Sequence, residues 1–279
     1  MTSLVVPRVM GIVNVTPDSF SDGGRLATVE AAVAHALRLV EQGADVLDIG
    51  GESTRPGAEP VNAAEEIART APVIEALRAR TDVRISIDTL KPEVAMAAVE
   101  AGATMWNDVS ALTFSPDSLA TAAALGCDVV LMHMKGEPRT MQAAPAYDDV
   151  VAEVVGYLAA RADAAIAAGV AREQVWLDPG IGFGKTADHN LALTAGLERL
   201  TALGFPVLYA ASRKRTILSL DPTAADPLDR LGGSLALALE GVRRGARMVR
   251  VHDVRETVQA LTVQAAVRAV TVQAAIRAD

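Results

Sequence analysis

Eight short apolar runs divide this chain, and nearly every one ends abruptly in a cluster of polar or charged residues. The runs are Val9–Val13 before Asn14, Val46–Ile49 before Gly50-Gly51-Glu52, Val83–Ile87 before Asp88, and Thr104–Trp106 before Asn107-Asp108. They continue with Val129–Met132 before His133, Val175–Leu177 before Asp178, Val207–Ala211 before Ser212-Arg213-Lys214, and Met248–Val251 before His252-Asp253. A buried strand has no packing use for charge at its tip, and an unpaired buried charge is costly. Eight such tips predict strands that converge on one wet, functional face. A (β/α)8 TIM barrel builds its site in that way.

The intervening segments agree. Between the first two runs, Leu26, Val29, Val33, Ala36, Leu37 and Val40 fall on one helical stripe that stops at Gly43. Glycines 102, 126, 169, 204 and 245 stop later segments in the same way. Strand, helix, glycine and next strand recur every roughly 35 residues, the rhythm of a parallel sheet. An open doubly wound sheet is the competing fold, but it would gather its polar tips near one switch point. At 279 residues the chain suits a single barrel domain spanning 1–279. Near the end, Thr262–Val270 recurs as Thr271–Asp279, too short for a solenoid unit, and reads as a local duplication that lengthens the last helix.

A net charge of −8 argues against nucleic-acid or anionic-membrane partners, whose binders carry basic surfaces. No run approaches a membrane span, so a cytoplasmic protein is expected. Cys127 is the sole cysteine, which excludes an internal disulfide and reads as an inert core thiol.

The tips themselves suggest chemistry. Asn14–Gly24 is longer than a typical strand-to-helix connection, which favours a binding loop over a plain turn. Gly50–Gly57 places Arg55 among glycines, where a guanidinium suits bidentate phosphate contact; a plain surface arginine is the competing reading. Asp178-Pro179-Gly180-Ile181-Gly182-Phe183-Gly184-Lys185 imitates a phosphate loop, but Pro179 stands where that motif requires glycine. A flexible loop presenting Phe183 beside a carboxylate fits better. Ser212-Arg213-Lys214-Arg215 sets three cations where a helix start would add its dipole, an anion site. Opposite these stand Asp48, Asp88, Asn107, Asp108 and Asp178. Cations facing a carboxylate-amide floor predict a ligand with one phosphorylated end and one flat, N–H-rich heterocyclic end.

These stretches resemble, in order, the signatures of the dihydropteroate synthase family. Met10–Gly24 is similar to its opening signature and Asp48–Gly57 to its second. Ser86–Thr89, Asn107-Asp108, Leu131–Met134, Asp178–Lys185, Ser212–Lys214 and Arg250–Asp253 follow. The resemblance implies a homodimeric barrel enzyme that joins dihydropterin pyrophosphate to p-aminobenzoate with Mg2+. It implies that Asp88, Asn107 and Asp178 read the pterin edge, with Lys214 and Arg250 against the ring. It places Asn14, Arg55 and His252 on the pyrophosphate, with Asn14 also a Mg2+ ligand, and Thr54, Pro56, Phe183 and Ser212 around p-aminobenzoate.

Two departures from the family pattern are expected to matter locally. Ala210 stands where many relatives carry glycine, which could reshape a pterin wall. Thr216 replaces an aromatic residue and could loosen the helix start. A pterin-dependent methyltransferase domain and a non-catalytic pterin-binding paralogue are the rival readings. The first has no need of Thr54–Gly57 or Ser212–Lys214, and the second is disfavoured because both loops keep their polar residues.

Overall fold

The polar tips and apolar runs resolve into eight parallel strands: β1 Arg8–Asn14, β2 Val46–Gly50, β3 Arg84–Asp88, β4 Met105–Asp108, β5 Asp128–Met132, β6 Val175–Asp178, β7 Leu208–Tyr209 and β8 Met248–Val251. Among the described residues ten helices follow or flank them: α1 Gly24–Glu41, α2 Ala63–Arg78, α3 Pro92–Glu100, α4 Ser118–Leu125, α5 Val150–Ala167, α6 Ala187–Ala195, α7 Leu197–Thr201, α8 Arg215–Leu220, α9 Leu231–Arg243 and α10 Val254–Ala278. The structure, a computed structural model, describes residues 7–15, 24–52, 60–136 and 140–278, with side chains given from 29 in α1 and to 270 in α10. The loop positions Thr54, Arg55 and Pro56, and helix position Leu26 as a side chain, lie outside the described residues.

The strand order is β6-β5-β4-β3-β2-β1-β8-β7, and a parallel bridge between Leu177 and Val207 joins the two ends. This is a closed (β/α)8 barrel, as expected from the tips. Gly43 adopts φ +100° and Gly126 φ +60°, so the helices end where only glycine turns left-handed without strain. Within α1 the buried stripe is Ala32, Val33, Ala36 and Leu39, rotated slightly from the predicted one, which leaves Leu37 and Val40 only partly covered. Through Ala278, the C-terminal duplication lies within the single helix α10, as predicted.

Strand alternation sorts the apolar residues into two separate clusters. Outward-facing Leu47, Ile49, Ile85, Ile87, Trp106, Val129, Leu131, Val175, Leu177 and Val249 pack beneath the helices. Inward-facing Met10, Val46, Met105, Val130, Trp176, Leu208 and Met248 fill one end of the barrel. Cys127 sits in the outer cluster, and burial pushes its thiol up to about 11, an inert group as read from sequence. No helix among the described residues is long and apolar enough to cross a membrane.

Candidate active site

The strands run further into the polar tips than the apolar runs suggested. Asn14 pairs in register with Gly50, Gly50 with Asp88, and Asp88 with Asn107. One polar rung therefore crosses four strands and faces the barrel interior. A rung below, Ile12, Asp48 and Ser86 align in the same way. Below that lies the sealed apolar end. A Cβ built at Gly50 would stand 3.7 Å from Asn14 Oδ1 and 3.8 Å from Asp88 Oδ2, so those two side chains flank an open position.

Arg250 organises the floor. Its Nε donates to Asp48 Oδ2 at 2.5 Å and its Nη2 to Asp88 Oδ2 at 2.7 Å. Asn107 Nδ2 donates to the same Asp48 oxygen at 3.1 Å. Among the described residues, three inward oxygens are buried without a partner: Asp48 Oδ1, Asp88 Oδ1 and Ser86 Oγ. Leaving such atoms unpaired is costly, and native proteins rarely do it without a ligand or water in view. Burial pushes Asp88 up to about 7, against the opposing pull of Arg250, and raises Asp178 as well, against Lys214.

Asp108 is not part of that floor, contrary to the grouping made from sequence. One residue along a strand from inward-facing Asn107, it must point outward. There it accepts the backbone N–H groups of Ser110 and Leu112, each at 2.7 Å, and steadies a turn in which Ala111 and Leu112 take positive φ.

The tri-basic tip also divides its labour. Arg213 forms a paired salt bridge with Asp253, with Nε donating at 3.0 Å, and its backbone N–H donates to Ser234. It is therefore neutralised, and the expected three-cation anion site loses one member. Arg215 points to solvent. Lys214 alone turns inward: its ammonium donates to the Ile181 carbonyl and lies 4.5 Å from the centre of the Phe183 ring. Burial draws Lys214 down to about 8, opposed by Asp178. Ser212 Oγ and His252 Nδ1 are 3.0 Å apart, so the Ser212 assigned to p-aminobenzoate and the His252 assigned to pyrophosphate share one corner.

The loop after β6 is not the flexible element expected. Lys185, 3% exposed, donates to the carbonyls of His133, Gly180 and Phe183 at 3.1, 2.9 and 3.0 Å and contacts His133 Nδ1 at 3.0 Å. Gly180 takes φ +68°, and a Cβ there would fall 1.9 Å from the His133 carbonyl oxygen. Lys185 thus serves as a fastener, not as a phosphate grip. Its role was hidden in sequence because the glycine-rich context resembles a nucleotide loop. Glu52 is likewise anchored: it pairs with Lys91, which also binds buried Glu66 at 2.6 Å, and Arg69 donates to the Gly51 carbonyl at 2.8 Å. The root of the second signature loop is therefore tied to α2 and to the start of α3.

A barrel with this acceptor-rich floor matches the family described as pterin binding enzyme over residues 10–252, and the chain belongs to that family. Its relatives narrow the assignment. The Escherichia coli K12 dihydropteroate synthase is 48% identical over 257 residues, 92% of this chain and 90% of that protein. The Xanthomonas albilineans dihydropteroate synthase solved with 4-aminobenzoic acid is 57% identical, covers 94% of this chain and 93% of its own, and superimposes with a TM-score of 0.89. The enzyme from the same organism in complex with 7,8-dihydropteroate is 54% identical, with 96% and 95% coverage and a TM-score of 0.87. Within the pterin binding enzymes the chain belongs to the dihydropteroate synthases, which are transferases. The methyl-transfer and non-catalytic readings find no support in these relatives.

Proposed function

We propose that the chain joins dihydropterin pyrophosphate to p-aminobenzoate, releasing pyrophosphate and 7,8-dihydropteroate, with the residue roles given below. The observation that carries the site assignment is the floor's set of inward-facing acceptors, of which Asp88 Oδ1 has no partner among the described residues. A pterin edge presents amino and ring N–H donors, and Asp88, Asn107 and Asp178 present acceptors. Lys214 and Arg250 stand beside these acids and would lie against the ring. Related enzymes hold 4-aminobenzoic acid or 7,8-dihydropteroate, which supports a second, aniline-binding region formed by Thr54, Pro56, Phe183 and Ser212.

No nucleophilic side chain is required. The C–O bond between the pterin methylene and pyrophosphate breaks, and its electron pair leaves with the phosphate oxygen. The aniline nitrogen attacks the methylene carbon and then loses a proton. Asn14, Arg55 and His252 would stabilise charge on the departing group, an electrostatic contribution that can be the largest in such catalysis. The Lys185-fastened loop keeps Phe183 in place while this happens.

Mg2+ belongs to the same proposal. Among the described residues no group of three or more His, Cys, Asp or Glu side chains could hold a metal. Mg2+ commonly keeps its waters and binds through substrate phosphates plus one or two protein oxygens. The amide oxygen of Asn14, on the rim beside Gly50, fits that requirement. When bound, the ion would neutralise charge on the leaving pyrophosphate. We also assign a homodimer in the cytoplasm: exposed Val263 and Val270, two turns apart on α10, offer apolar surface to a second copy, and a single buried thiol suits a reducing compartment.

A coupled pyrophosphate-release assay with both substrates and Mg2+ tests the reading. Release that depends on all three, with equimolar dihydropteroate, is expected. Release without p-aminobenzoate, or none at all, would overturn it. Sedimentation at micromolar concentration tests the dimer.

A further inference from the structure

Two buried polar side chains outside the assigned site connect to it through a single peptide unit. Asn190 in α6 is 3% exposed and Thr216 in α8 is 5% exposed. Asn190 Oδ1 accepts the Gly182 backbone N–H at 2.8 Å, and its Nδ2 donates to Thr216 Oγ1 at 2.9 Å. Because a backbone N–H can only donate, the orientation of the Asn190 amide is fixed by this contact. The same peptide unit carries the Ile181 carbonyl, which accepts from the Lys214 ammonium. In a planar trans peptide the N–H and C=O point in opposite directions. Holding one aims the other. Gly182 has φ +84°, and a Cβ there would come 3.1 Å from Lys214 Cδ, so this peptide packs directly on the lysine stem.

We infer that Asn190 and Thr216 are positioning residues for Lys214: together they clamp the Ile181–Gly182 peptide so that its carbonyl receives the ammonium beside the Phe183 ring. The inference rests on the assignment of Lys214 to the pterin site. It also reverses the expectation that Thr216 loosens the start of α8. A phenylalanine at this position would offer Asn190 no acceptor, whereas the threonine hydroxyl ties α8 to α6 and, through Asn190, to the loop after β6.

The charged groups facing Lys214 are Asp178 on β6, Asp88 on β3, Arg250 on β8 and Lys185 at the end of the β6 loop. None of them changes in Asn190 or Thr216 variants. Losing the aimed carbonyl removes a contact that favours the ammonium, so Lys214 should give up its proton at lower pH.

The test is steady-state kinetics of the full chain with dihydropterin pyrophosphate, p-aminobenzoate and Mg2+, for the parent, Asn190→Leu, Thr216→Val, Thr216→Ser and Lys214→Ala. Asn190→Leu should raise KM for the pterin substrate roughly tenfold, the scale of weakening one hydrogen bond to a charged group. The alkaline limb of kcat/KM should move to lower pH. Thr216→Val, nearly isosteric and expected to fold, should shift both quantities in the same direction by less, and Thr216→Ser should restore parental values. Parental KM and an unmoved alkaline limb in Thr216→Val and in folded Asn190→Leu would overturn the clamp, provided Lys214→Ala weakens pterin binding. Parental pterin binding by Lys214→Ala would instead overturn the role of Lys214 on which the inference stands.

Discussion

Two polar regions of the barrel mouth, close together, are built on opposite terms. In the loop after β6, the Lys185 ammonium meets three carbonyls and a histidine nitrogen, and Gly180 fits against the His133 carbonyl with no space for a methyl. On the floor, Asp48, Ser86 and Asp88 each keep an oxygen buried without a partner among the described residues. The loop is complete without ligand; the floor is not. Saturated polar groups hold a scaffold in place, and unsaturated ones reserve space for a molecule that supplies the missing donors. Both regions are rich in charge, so charge alone does not distinguish scaffold from site. Partner accounting does.

That contrast can be broken most strongly at Arg250. Arg250→Ala should strip Asp48 and Asp88 of their shared cation and destabilise the fold by about 3–5 kcal/mol, the scale of leaving buried charge uncompensated. Chemical denaturation measures it, and a loss below about 1 kcal/mol would show that solvent already screens the floor. Lys185→Met should cost at least about 2 kcal/mol by stranding three carbonyls. Because the loop is scaffold, that loss should be the same with and without a saturating pterin in all but the ligand's own contribution. A variant as stable as the parent would make the loop dispensable.

Arg55→Ala, in the second signature stretch, sharpens the contrast. Turnover should fall by roughly 10²-fold, the scale of losing one charge-stabilising group, while the melting temperature stays within a degree or two. Near-parental turnover removes Arg55 from the pyrophosphate site. Phe183→Leu is the mildest test. The ring lies against the Lys214 ammonium, and its loss should weaken p-aminobenzoate binding by about 1 kcal/mol. Calorimetry in the presence of pterin and pyrophosphate would register this, and unchanged affinity would place the aniline elsewhere.

The barrel was legible because its physical rule is repetitive. An apolar run ending in a polar tip recurs from β1 to β8, and a glycine stop precedes every later strand except β3, so errors at one strand are corrected by the next. The floor was legible at Asp88, Asn107 and Asp178 because acids at strand tips have no packing role. Asp108 misled because sequence adjacency to Asn107 conceals the two-residue alternation that sends the two side chains to opposite faces. Arg213 misled because its partner, Asp253, lies 40 residues away. Lys185 and Asn190 went unread, and Thr216 was misjudged, for the same reason: their function is to receive or donate hydrogen bonds across loops and helices, and no local pattern records such partners. Residues that wait for a ligand advertise themselves by being chemically misplaced. Residues that hold other residues do not.

The central claim is that the inward-facing carboxylates of the barrel mouth are reserved for pterin donors, and Asp178→Asn tests it on one protein with two readouts. Its Oδ1 contact to the Gly180 N–H, 2.7 Å in the parent, can persist in the amide, and a buried carboxylate whose charge is disfavoured is removed. Thermal melting of the free protein should therefore be unchanged or raised. Calorimetric titration with dihydropterin pyrophosphate should show affinity at least tenfold weaker, since the amide offers one acceptor where the acid offers two, a loss of about 1–3 kcal/mol. Parental affinity in a normally folded Asp178→Asn protein would contradict the account.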